Sequence, residues 1–239
     1  MGAHREDLGR EAGPVTLHFI SAGAAQGLVT KLARDAGIVV AGSFGAVGAM
    51  LEKFLAGEPC DVVILTRAQV DGLVSRGALV GSTQGDLGAA PTAVAVRAAE
   101  PPPDVSDASS LRAALLAADA LYFPDPGKAT AGIHFAKVLD LLGIRDKVSG
   151  RVKTFPNGTT AMKAMGEAGG HPIGCTQATE ILAVPSVRLV APLPRGYDLA
   201  TVYTAAVSAK ALHRAEAEAF LRWLTGAESR NKRRDAGFE

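Results

Sequence analysis

A chain of 239 residues can bury one large core or two lobes, and 48% hydrophobic with 21% charged residues is ordinary for a globular protein. A formal net charge of +1 leaves no basic field for a nucleic acid or a membrane surface. Neither a leader-like apolar run in Met1-Gly2-Ala3-His4-Arg5-Glu6-Asp7-Leu8-Gly9-Arg10-Glu11 nor a stretch of membrane-spanning length is present. The expectation is a cytoplasmic protein if Met1 is the native start, and a periplasmic one if these residues replace a leader.

Short β-branched runs alternate with helical stretches, which predicts an α/β architecture with mostly parallel sheets. In chain order, strands are predicted at 16–21, 38–43, 62–66, 93–97, 120–123, 173–176, 187–191 and 201–207. Helices are predicted to begin near Ala24, Val47, Arg67, Ser110, Thr130, Gly158 and Arg214. Between Gln26 and Ala36, Leu28, Leu32 and Ala33 share one face while Lys31, Arg34 and Asp35 share the other. Glu100-Pro101-Pro102-Pro103-Asp104 reads as a surface loop. The basic run Arg230-Asn231-Lys232-Arg233-Arg234 reads as a solvated cap at the negative end of the last helix. Cys60 and Cys175 read as two buried free thiols, and no spacing of Cys and His suggests a metal or calls for a cofactor.

Two stretches carry more information than the rest. Leu17-His18-Phe19-Ile20-Ser21-Ala22-Gly23-Ala24 and Gly42-Ser43-Phe44-Gly45-Ala46-Val47-Gly48 are each an apolar strand that breaks into small residues and enters a helix. Such a turn leaves backbone N–H groups free at a helix N-terminus, where the dipole favours an anion. Asn157-Gly158-Thr159-Thr160 is a third turn of this kind, and Thr130 plays a similar part before His134. Each also fits plain helix capping.

The same residues carry a resemblance. With Leu55-Ala56-Gly57-Glu58-Pro59-Cys60-Asp61-Val62-Val63-Ile64, the two turns resemble the first lobe of molybdate-type substrate-binding proteins, within the type II periplasmic solute-binding group. Pro124-Asp125-Pro126-Gly127, Thr130-Ala131-Gly132-Ile133, Thr159-Thr160-Ala161-Met162 and Pro172-Ile173-Gly174-Cys175-Thr176-Gln177-Ala178-Thr179-Glu180 are similar to that family's second lobe. The resemblance implies a two-lobe α/β fold, with residues 1–88 and 200–239 forming a discontinuous first lobe and 89–199 the second. The chain would cross between lobes near Leu87–Pro91 and again near Tyr197–Val202, as a two-strand hinge, with the ligand between the lobes.

Ser21 stands where molybdate binders place a contacting serine, whereas Val47 and Gln177 stand where they usually carry a second serine and, in some, a tyrosine. Losing such donors shifts the expectation from molybdate or tungstate towards a small organic di- or tricarboxylate. Ser21, Ala22, Gly45, Ala46 and Val47 are the expected contacts from lobe one, with Lys128, Thr130, Thr159, Thr160 and Gln177 from lobe two. Arg67 is read equally as a ligand contact and as a rim arginine. Arg97 is read as pointing to solvent. The expected function is closure on a small anion, with an ABC transporter permease as partner if the protein is exported. The enzymatic alternative is an unsaturated-carboxylate isomerase, since an aconitate isomerase is similar to this family. His134 is then the candidate base, set against its reading as a helix residue packed under the loop.

Overall fold

In the computed structural model, which describes residues 15–239, the chain first runs through β1 (Thr16–Ala22), α1 (Gln26–Asp35), β2 (Val39–Gly45), α2 (Val47–Leu55), β3 (Val62–Thr66) and α3 (Arg67–Ser75). A long strand, β4 (Gly85–Arg97), leads into α4 (Ala108–Ala117), β5 (Leu121–Pro124), α5 (Thr130–Leu141), α6 (Arg145–Val148) and β6 (Val152–Phe155). Then come α7 (Gly158–Gly166), β7 (Ile173–Gln177), α8 (Ala178–Leu182) and β8 (Val187–Pro192). The chain returns through β9 (Ala200–Val207), α9 (Arg214–Thr225) and α10 (Arg230–Asp235). The stretch read for a leader, residues 1–11, lies outside the described residues.

Separate cores define two lobes. One buries Leu17, Phe19 and Ile20 of β1 and Val62, Val63, Ile64 and Leu65 of β3 against Tyr203, Phe220, Leu221 and Phe238, so it joins the two ends of the chain. Phe19 meets Phe220 edge-on at 5.8 Å, tying β1 to α9; a large-to-small change at such a site costs about 3–5 kcal/mol. The middle of the chain covers both faces of its own sheet. Leu111, Leu115, Phe123, Phe135 and Leu139 lie on one side, and Tyr122, Met162, Met165 and Ile181 on the other.

The hinge follows from one strand serving both lobes. From Gly85 to Pro91, β4 pairs antiparallel with β9, and from Thr92 onward it pairs antiparallel with β7 and β8. At the crossover the Thr92 N–H donates to the Leu199 carbonyl (2.8 Å) and its carbonyl accepts from the Leu193 N–H (3.0 Å). Both connections are thereby held at one residue.

The sheets are mixed, which corrects the expectation of mostly parallel ones. β1 pairs parallel with β2 and β3, and β5 with β6 and β7, but β9 enters antiparallel to β3. A strand returning through the hinge meets its neighbours in the opposite sense. The strand expected at 93–97 is the far half of β4, while β6, α6, α8 and α10 had no counterpart in the sequence reading. β6 is a short, half-exposed edge that includes Lys153, so its alternation is faint. The basic run forms α10, and Arg233 donates to the Leu224 and Gly226 carbonyls at the end of α9 (both 2.8 Å). Cys60 and Cys175 are buried free thiols, with burial pushing the Cys60 pKa up to about 12.

Candidate functional site

Between the lobes lies a small cavity of about 20 Å³. Lobe one contributes Ala22, Gly23 and Ala24 after β1, and Gly45, Ala46 and Val47 at the end of β2. Pro124, Ala129, Thr130, Ala131, Asn157, Gly158, Gln177 and Glu180 face them from lobe two, with Tyr203 of β9 in the wall. These positions are carboxyl ends of strands and the helix starts that follow, the usual place for a ligand in open α/β sheets.

The helix starts around the cavity differ from those of α3, α4 and α7. α3, α4 and α7 start on Thr66, Asp107 and Asn157, whose side chains take part in capping hydrogen bonds. The turn before α1, α2 and α5 instead start on Ala22, Ala46 and Ala129, with no side-chain cap. Alanine is a poor N-cap and leaves the first N–H groups without acceptors. Among the described residues, the Val47, Thr130 and Ala131 N–H groups have no protein acceptor. Three positive helix ends thus converge on one cavity with donors to offer.

At the third expected cradle the protein supplies its own anion. The Glu180 carboxylate accepts from the Gly158 N–H (3.1 Å) and the Thr176 hydroxyl (2.6 Å), while Asn157 Oδ1 accepts from the Thr160 N–H (2.8 Å). A Cβ on Gly158 would collide with Glu180 and Thr176, so glycine is required there. Only 6% of Glu180 is exposed. Burial raises its pKa, against the lowering effect of hydrogen bonds from Thr176, Gly158, Thr159 and Gln177. Tyr203 is buried beside it, its pKa raised by burial and by the Glu180 charge. Gln177 Oε1 is buried with no hydrogen-bond partner among the described residues.

Of the residues expected from sequence, Ala22, Gly45, Ala46, Val47, Thr130 and Gln177 come together in the cavity wall. Ser21 sits beneath it, fully buried, its hydroxyl donating to the Ala22 carbonyl (3.0 Å). Thr159 and Thr160 are not in the wall, because α7 runs away from it. Arg67 is spent on an ion pair with Asp86, and Arg97 bonds Glu100 and the Ala168 and Gly170 carbonyls rather than facing solvent. His134 hydrogen-bonds the Tyr197 carbonyl in the returning connection (2.7 Å) and does not line the cavity. No Lys, Arg or His does so among the described residues.

Lys128 lies at the seam between the lobes. Its ammonium pairs with Glu52 of α2 (2.8 Å), and its carbonyl accepts from the Gly48 N–H (3.1 Å). A Cβ on Gly48 would stand 3.1 Å from that carbonyl, so the first turn of α2 closes on Lys128 through a glycine.

Sequence reasoning did not single out Glu180, Tyr203 and Pro124 as site residues. The available signal was a lone charge in an otherwise uncharged strand-to-helix stretch, Ile173–Ile181, and a buried carboxylate needs partners. Tyr203 gives no such signal, since a tyrosine in a returning strand reads as core.

The sequence is 28% identical over 240 residues to an aconitate isomerase of a Pseudomonas species, covering 95% of this chain and 89% of that protein. It is 26% identical over 208 residues to the molybdate-binding protein ModA of Escherichia coli strain K12, covering 86% and 80%. The fold superposes on the Azotobacter vinelandii periplasmic molybdate-binding protein with a TM-score of 0.73 at 19% identity, covering 93% of this chain and 98% of that one. It also superposes on the sulfate-binding protein SubI of Mycobacterium tuberculosis H37Rv, with a TM-score of 0.68 at 18% identity and coverage of 94% and 86%. The architecture is the two-lobe type II periplasmic-binding-protein fold. Because the family model for bacterial extracellular solute-binding proteins matches residues 18–239, almost the whole chain, this protein belongs to that family.

Proposed function

We propose that the protein binds a small organic anion, a di- or tricarboxylate, by closing its lobes on the cavity. The observation that carries this reading is the convergence of helix starts capped by Ala22, Ala46 and Ala129, with walls of methyl groups that include Val47. The N–H donors take the carboxylate oxygens, and the apolar wall takes the carbon skeleton. Gln177 Oε1 supports the choice of ligand. A fully ionised tetrahedral oxyanion offers only acceptors, whereas an organic acid with a hydroxyl or un-ionised carboxyl offers a donor. Arg67 and Lys128, which suggested a carboxylate from sequence, are engaged with Asp86 and Glu52 and do not support it. If the protein is exported, its partner is an ABC transporter permease that receives the ligand from the closed lobes.

The likeness to an aconitate isomerase over 95% of this chain favours a second reading, a carboxylate isomerase in the same cavity. Glu180 and Tyr203 are the titratable side chains there, and a proton shifted between carbons would pass through one of them. A thermal-shift panel of cis- and trans-aconitate, citrate, molybdate, tungstate and sulfate separates the readings. A ligand at about a hundred times its Kd adds about 2.7 kcal/mol. Stabilisation by carboxylates alone supports the binding reading, and interconversion of cis- and trans-aconitate by the same sample supports the isomerase. Stabilisation by molybdate, tungstate or sulfate alone overturns both.

A further inference from the structure

We infer that an anion entering this cavity is bound together with one proton, which Glu180 takes up. The inference rests on the cavity being the anion site proposed above, and it concerns how that site is regulated. Glu180 lies in the wall itself, facing the opposite lobe, and a Cβ built on Gly23 would come within 2.8 Å of its Oε1. The cavity brings no Lys, Arg or His to neutralise two negative charges, among the described residues.

The elements packed on this carboxyl give it hydrogen-bond donors, which favour its charge, but no cation to balance a second negative charge. β7 presents Thr176 and Gln177, and α7 presents Asn157 and the Gly158 and Thr159 N–H groups. The turn before α1 presents Gly23, and β9 presents Tyr203. Of these only Tyr203 titrates, and burial keeps its proton on. The hydroxyl of Thr176, 2.6 Å from Oε2, donates to the carboxylate and accepts from the carboxyl equally well, so protonation needs no rearrangement. Burial has already raised the Glu180 pKa before any ligand arrives.

The cavity has room for little more than a water molecule, so an anion entering it lies within about 6 Å of the carboxyl. At that separation and an effective dielectric of about 20, repulsion between two unit charges weakens binding by about a hundredfold. The anion therefore binds the form in which Glu180 is neutral. Its Kd rises tenfold per pH unit above the Glu180 pKa of the free protein, and levels off about two units higher, where the ionised form binds.

Isothermal titration with trans-aconitate and with molybdate, in buffers of differing ionisation enthalpy from about pH 5.5 to about pH 8.5, counts the protons directly. The expected result is uptake approaching one proton in part of that range. Glu180→Gln is expected to bind with no uptake and with a Kd independent of pH. Binding of either probe without uptake by the parent protein overturns the inference and leaves the anion site standing. Undiminished uptake by Glu180→Gln also overturns it, by placing the proton elsewhere. The parent measurement decides the matter if the variant does not fold. Absence of binding by both probes at every pH overturns the anion site, and this inference with it.

Discussion

Replacing Ala129 with aspartate is expected to weaken the protein's hold on an anion without stabilising the ligand-free protein. Ala129 is the N-cap of α5, with φ −97° and ψ 130°, the extended conformation an aspartate cap adopts. Its carboxylate would accept from the Ala131 or Gly132 N–H, contributing about 1 kcal/mol as a cap and about 0.5 kcal/mol with the helix dipole. Ala129 is only 6% exposed and shares the cavity wall with Glu180, so charge burial and repulsion offset that gain, and Tm is expected not to rise. The same bond removes a donor worth about 1.5–3 kcal/mol to a charged ligand. It also fixes a like charge in the wall, so affinity is expected to fall at least about a hundredfold. Ala129→Ser keeps most of the cap without the charge, and is expected to weaken binding by only about tenfold. Differential scanning fluorimetry without ligand and isothermal titration with trans-aconitate and molybdate measure the two effects. An affinity for the bound probe within about threefold of the parent, in a folded aspartate variant, would refute the assignment of these N–H groups to the ligand.

Val47→Ser places a hydroxyl donor in the wall, and molybdate affinity is expected to rise about tenfold or more in calorimetry. Gly48→Ala brings a Cβ 3.1 Å from the Lys128 carbonyl, and the strained seam is expected to speed ligand release about tenfold in stopped-flow while leaving the ligand-free Tm within about 2 °C. Lys128→Gln removes only an exposed ion pair and is expected to change affinity less than about fivefold at moderate salt. For Glu180 the sign of the pH dependence follows from the folded state holding its proton more tightly than the unfolded one. Its contribution to stability is fully present below the ordinary glutamate value of 4.5 and is lost as pH rises through the raised folded pKa. Urea denaturation across that window is expected to show stability falling with pH, and a flatter profile in Glu180→Gln.

The two lobe-one turns were readable because they are local. An apolar strand ending in Ser21-Ala22-Gly23 or Phe44-Gly45-Ala46 and running into an amphipathic helix announces a helix N-terminus whatever surrounds it. The same local signal was ambiguous at Asn157-Gly158-Thr159-Thr160, where a cradle for a ligand and one filled by the protein look alike in sequence. Glu180 fills it from 22 residues away, a distance no window reads. The cations were ambiguous for a related reason. Arg67 and Lys128 sit near strand and helix ends in sequence, but their charges are taken by Asp86 and Glu52, and only the packed chain shows this.

The sequence by itself determined the class of fold, the order of most strands and helices, and the turns at Ala22–Ala24 and Gly45–Val47. These rest on composition, on short-range periodicity and on the chemistry of single side chains. The tertiary structure decided which helix ends face one another and which arginines and lysines are already paired. It also made the sheets mixed through the hinge at Thr92, and brought Glu180 and Tyr203 into the wall. Each of those depends on groups far apart in the chain meeting in space, and the free energy of a buried charge or a bare N–H is set by whatever it meets there.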